Sequence, residues 1–109
     1  MEALAAIADP TRRELLALLA RGDLAAGELA DRFPVSRPAI SRHLRVLREA
    51  GLVHSRVEGR RRLYGLDPRP LRELDEWLEP YRDLWAQRLD ALDTEIARGR
   101  RARRNGERR

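Results

Sequence analysis

Apolar residues fall in short helical groups along the first half of the chain. Leu4, Ile7 and Ala8 mark a brief first helix. Asp9-Pro10 interrupts that pattern and restarts it, because Asp9 suits an N-cap and Pro10 suits the first helical position. Leu15, Leu16, Leu18 and Leu19 give the second helix its apolar face, and Gly22 is the expected stop. Leu24, Leu29 and Phe33 predict a third helix over residues 24–32. Its start is poorly capped, since Ala25 and Ala26 stand where Ser or Thr would serve. Phe33-Pro34-Val35 makes a tight connection. Ser36 then caps a fourth helix that tolerates Pro38 in its first turn and ends at Gly51. Ile40, Leu44 and Leu47, at i, i+4 and i+7, form its packing stripe.

The pattern then shortens. Residues 52–58 carry Leu52, Val53 and Val57 and read as a strand. Glu58-Gly59-Arg60 reads as a hairpin turn, and residues 61–66 return with Leu63 and Leu66. Asp67-Pro68 and Arg69-Pro70 launch a last helix, expected over about residues 70–98. Its apolar positions are Leu71, Leu74, Leu78, Tyr81, Trp85, Leu89, Leu92 and Ile96, close to a heptad seam with one slip near Arg88. The stripe could face the chain's own core. It is long for so small a chain, which favours a seam with a second copy. Pro80 is expected to kink or break this helix near Glu79. Residues 1–98 are expected to form one domain, and residues 99–109 a basic, disordered tail.

Charge sharpens the picture. The 109 residues carry a net charge of +5, and every basic residue is Arg. Residues 1–31 sum to −3, residues 32–62 to +7, residues 63–98 to −4 and residues 99–109 to +5. A basic centre between acidic flanks points to a polyanionic partner. The absence of Cys excludes disulfides and thiolate metal sites. The first residues are too polar for a signal peptide and no apolar run reaches membrane length, so a cytoplasmic protein is expected. No paired catalytic carboxylates, nucleophile–base set or phosphate-binding glycine loop is present, so an enzyme is not expected.

The basic centre coincides with the fourth helix and the hairpin. Arg37, Pro38, Ser41 and Arg42 point away from the packing stripe, in the helical half that meets base edges in helix-turn-helix proteins. Arg is the commonest reader of guanine, through bonds to O6 and N7. Arg45 and Arg48, further along, suit phosphates, as does Ser36 in the first turn. Arg60, Arg61 and Arg62 at the hairpin tip would repel one another without a polyanion beside them. His43 suits a phosphate contact or local packing. His43 and His54 are too few, without Cys, to indicate a metal, and no metal or cofactor is expected.

Several segments carry a family pattern. They are Ala8-Asp9-Pro10-Thr11-Arg12-Arg13, Glu28-Leu29-Ala30, Ser36-Arg37-Pro38-Ala39-Ile40-Ser41-Arg42-His43-Leu44 and Leu47-Arg48-Glu49-Ala50-Gly51-Leu52-Val53. Over about residues 2–98 the chain resembles the ArsR/SmtB winged-helix repressors. The resemblance implies a mainly α winged helix-turn-helix of order α-α-α-α-β-β-α. It implies a homodimer built on the first and last helices, through Leu4, Ile7, Leu74, Leu78, Tyr81, Trp85, Leu89 and Leu92. It also implies binding to double-stranded DNA at a palindromic operator and release by an effector. The family's metal sensors place Cys-x-Cys in the third helix, where this chain has Leu24-Ala25-Ala26-Gly27-Glu28-Leu29. Others place His and Asp ligands in the last helix, and residues 71–98 contain no His. The chain therefore looks like the metal-independent branch, with an unknown small-molecule or protein effector. The rival readings are a winged-helix protein-interaction module and a nonspecific nucleoid-coating protein.

Overall fold

The computed structural model describes residues 2–107, which divide into two compact units with the boundary between Leu74 and Asp75. The order of elements is α1 (Glu2–Ile7), α2 (Pro10–Leu19), β1 (Leu24–Ala25), α3 (Ala26–Ala30), α4 (Arg37–Glu49), β2 (Val53–Glu58), β3 (Arg61–Leu66) and α5 (Arg69–Glu107). Asp9 caps α2 as its sequence position requires: its Oδ2 accepts the Arg12 N–H at 3.0 Å. The helix stops at Leu19, ahead of the expected stop at Gly22.

The expected third helix is divided. Leu24 and Ala25 leave the helical pattern and pair antiparallel with β3, Leu24 opposite Tyr64 and Ala25 opposite Leu63. Tertiary strand pairing overrides a weakly capped helix start, and α3 keeps only Ala26–Ala30. Ala25 has no side-chain acceptor to offer, so the cap is one-sided: Glu28 Oε1 accepts the Ala25 N–H at 3.2 Å. The sheet therefore has three strands, ordered β1-β3-β2, where a two-stranded hairpin was expected.

Ser36 caps α4 through its Oγ, which accepts the Ala39 N–H at 3.2 Å. The other end is a Schellman turn. Gly51 adopts φ +76°, its N–H donates to Arg48 O, and the Leu52 N–H donates to Leu47 O, each at 3.0 Å. Leu47 and Leu52, the apolar pair of that turn, are both fully buried. They join Leu15, Leu16, Leu19, Leu29, Ala30, Ile40, Leu44, Val53 and Leu74 in one core, so α4 is docked through the stripe its periodicity predicted.

The last helix is not broken at Pro80, which stands inside α5, and it runs on to Glu107 where a disordered tail was expected from residue 99. Pro80 lacks a backbone donor. Arg82 reaches back across it and donates both to the backbone carbonyl of Asp75 and, at 2.5 Å, to Asp75 Oδ1. Residues 100–107 include four Arg, a good helix former, and Gly99 and Gly106 each cost a helix only about 1 kcal/mol. Residues 108 and 109 of the expected tail lie outside the described residues.

Candidate nucleic-acid interface

Burial of Ile40, Leu44 and Leu47 fixes the rotation of α4 about its axis. The opposite face is then determined: Arg37, Pro38, Ser41, Arg42, Arg45 and Arg48 are all exposed. Arg37 makes a long ion pair with Asp31, 3.7 Å between two well-exposed groups. Such a pair is weak and easily exchanged. Arg42, Arg45 and Arg48 have no ion pair or hydrogen bond among the described residues. Ser36 spends its oxygen acceptor on the cap and keeps its hydroxyl proton available.

The hairpin projects a second basic group. Register pairs Glu58 with Arg61, which leaves Gly59 and Arg60 as a two-residue turn. Gly59 has φ +62° and no other residue of the turn has a positive φ, the pattern of a type II′ turn. Arg60 sits at the tip, exposed and unpaired among the described residues. Arg61 was expected to meet a polyanion together with Arg60 and Arg62. It is ion-paired with Glu28 of α3 instead. Arg62 is 3.5 Å from the hydroxyl of Ser55, which lies diagonally across the hairpin, two residues from its register partner Val57.

Sequence reasoning missed Arg56. Its guanidinium donates to Asp23 Oδ2 at 2.5 Å and to Glu58 Oε2 at 3.3 Å, and the Asp23 bond is the main reason its pKa is raised. Asp23 lies just before β1 and Arg56 in the middle of β2, so only the folded sheet brings them together. His54 lies across its register partner Gly65, so close that a Cβ there would fall 2.5 Å from its ring. Among the described residues no three His, Cys, Asp or Glu side chains are grouped to hold an ion.

Of the two roles expected for His43, a phosphate contact or local packing, the structure displays local packing. It is half-buried, with Nδ1 3.4 Å from Arg12 Nη1 and 3.9 Å from Asp9 Oδ2. It packs against the start of α2 because α4 crosses there, one residue beyond the exposed Arg42.

The expected seam residues divide. Leu4 is exposed and Ile7 half-buried. Leu74 is a correction: at 5% exposure it belongs to the core of its own unit, which needs an apolar group from the start of α5. Leu78 is half-buried, while Tyr81, Trp85, Leu89 and Leu92 stand exposed. Trp77, Leu84 and Ile96 are exposed too, and Leu84 was not anticipated because it falls one position off the heptad reading. Trp77 and Tyr81 pack ring against ring at 5.5 Å. Among the described residues no helix is long and apolar enough to cross a membrane.

Residues 9–55, which include α2, the helix-turn-helix and the start of the hairpin, match the bacterial regulatory protein, arsR family. The HTH-type transcriptional regulator Rv2034 of Mycobacterium tuberculosis is 50% identical over 84 residues, 77% of this chain and 76% of the relative. The chain belongs to the ArsR family. The transcriptional repressor SdpR of Bacillus subtilis is 40% identical over 73 residues, 67% of this chain and 81% of SdpR. Among solved structures, the homodimeric winged helix-turn-helix DNA-binding domain of Mb0332 from Mycobacterium bovis matches at TM-score 0.61 and 28% identity, covering 75% of this chain and 76% of that one. In this ArsR-family chain α3 and α4 are the helix-turn-helix and β2–β3 is the wing. The protein is a DNA-binding transcriptional regulator and not an enzyme.

Proposed function

We propose that this regulator is a homodimeric repressor that binds an inverted-repeat operator. The observation that carries the reading is the row of unpartnered arginines: Arg42, Arg45 and Arg48 on the outer face of α4, with Arg60 at the wing tip. Unpaired guanidiniums on the face that must meet the groove suit exchange of counterions for phosphates. In this reading Arg37, Ser41 and Arg42 contact base edges, with Pro38 against them. Ser36, Arg45, Arg48, Arg60 and Arg62 contact phosphates. Arg61 joins them only when it lets go of Glu28, and His43 supports α4 from behind.

Two further points support the dimer and the repressor role. The exposed apolar row of α5, from Trp77 to Ile96, is what a second copy would cover, and in this reading Leu4 and Ile7 of α1 also belong to the interface. Mb0332 is homodimeric and SdpR is a repressor. A two-fold dimer would set its two α4 helices about 34 Å apart, one turn of DNA. Acting on chromosomal DNA, the protein would work in the nucleoid, and no effector is assigned.

Selection of bound genomic fragments, followed by a salt-titrated gel shift, tests the proposal. A shared inverted repeat, bound at least about a thousandfold more tightly than random DNA, supports it. Equal binding to all fragments would instead indicate a nonspecific coating protein, and no binding a protein-interaction module.

A further inference from the structure

The first helix has six residues, too few to hold itself, and its last carbonyls need donors from elsewhere. Two consecutive arginines supply them. Arg13 Nη1 donates to Ile7 O at 2.9 Å and to Ala8 O at 3.3 Å. Arg12 Nε donates to Ala6 O at 2.6 Å, and its Nη2 to Ala5 O at 3.3 Å. These contacts explain Arg13 completely. They do not explain the remaining nitrogen of Arg12, Nη1, which meets Nδ1 of His43 on α4 at 3.4 Å.

The chemistry of that contact is one-sided. A guanidinium has donors only, so a hydrogen bond here requires Nδ1 of His43 to accept, which is the tautomer with its proton on Nε2. The carboxylate of Asp9, 3.9 Å from the same nitrogen, already accepts the backbone N–H of Arg12. Its pKa is lowered, first by that backbone bond. One side chain thus joins the end of α1, the start of α2 and the middle of α4. On α4 the joint falls between Arg42, which faces outward, and Leu44, which is buried.

We propose that Arg12 is a positioning residue for the recognition helix. It fixes the seat of α4 through His43, and it carries any shift of α1 to the base-reading face. The inference rests on the reading of α4 as the DNA-contacting helix, but the contact itself can be tested without DNA.

Nitrogen chemical shifts of His43 in the full-length protein, recorded above pH 8, should show the Nε2–H tautomer. In Arg12→Lys, which keeps the charge and loses the fork, the tautomer signal should become mixed and amide shifts of α4 around Arg42 should move. Discrimination between the selected operator and scrambled DNA should fall about tenfold, the size expected for one hydrogen bond to a charged group, while the salt dependence stays unchanged. His43→Asn keeps an acceptor where Nδ1 stands and should retain discrimination, whereas His43→Phe should lose it. A proton on Nδ1 in the wild type would overturn the proposal. So would α4 shifts in Arg12→Lys that match the wild type. If Arg12→Lys fails to fold, the His43→Asn and His43→Phe pair decides, and equal discrimination by both overturns it. Should the protein show no sequence preference, the tautomer and α4 shifts still decide on Arg12 while the operator reading fails separately.

Discussion

Arg61, the first residue of the returning wing strand, is ion-paired with Glu28 of α3. The same carboxylate oxygen accepts the backbone N–H of Ala25. Glu28 therefore caps a helix and holds the wing at once, and it competes with DNA phosphate for Arg61. Replacing it with Gln keeps the backbone acceptor and removes the charge. In Glu28→Gln, binding to any DNA should strengthen, and the slope of log K against log salt should steepen by up to about 0.9 per protomer. An unchanged slope would mean that Arg61 stays off the DNA.

Arg42 has no intramolecular partner among the described residues, so its loss leaves nothing unpaired in the free protein. Arg42→Ala should cost about 1–3 kcal/mol in operator binding and relax selection at one base position. Binding-site selection with the variant checks this, and an unaltered selected sequence would remove Arg42 from the base readers.

The exposed row on α5 gives a test of assembly. Trp85 and Leu89 stand 43% and 56% exposed in the single chain. A charge placed there has no effect on a free helix face but is costly in a dry interface. Leu89→Glu should shift sedimentation from dimer towards monomer at micromolar concentration. It should also weaken operator binding more than binding to a half-site.

Leu44 is packed between α4 and the rest of the core at 1% exposure. Leu44→Ala should destabilise the fold by about 2–5 kcal/mol, read by urea denaturation at fixed protein concentration. The loss should appear in the midpoint rather than the slope.

Asp67 offers a pH test. The Arg69 side chain, and then the Arg69 backbone N–H, hold its carboxyl down to about 2 from an ordinary 3.8. A depressed carboxyl stabilises the fold above its unfolded value and loses that contribution as pH falls through the folded one. Stability should therefore be fully supported at pH 5 and decline between about pH 4 and pH 2. Asp67→Asn should flatten acid unfolding over that window.

The parts of the fold legible in sequence were those written in local chemistry. Asp9-Pro10, Ser36 and Gly51 set helix ends, and each does so in the structure through the bond its residue type predicts. The packing stripe of α4 followed from spacing alone. The hidden parts depend on partners far along the chain. Leu24 and Ala25 looked helical because nothing nearby announces Tyr64 and Leu63. Nothing near Arg61 in the sequence announces Glu28, which lies 33 residues away. Leu74 fitted a heptad seam as well as a core, since an apolar position does not state which surface will cover it.

The two residue pairs Leu24–Tyr64 and Ala25–Leu63 close a loop around residues 26–62. The helix-turn-helix lies wholly within that loop, and its ends are fastened by a strand only two residues long. Its amides at the closure should exchange with solvent in step with those of the enclosed helices, as a single opening unit. The outward residues of α4 take no part in the fastening. Mutational drift can therefore rewrite what this chain recognises while the clasp that shapes the reader stays as it is.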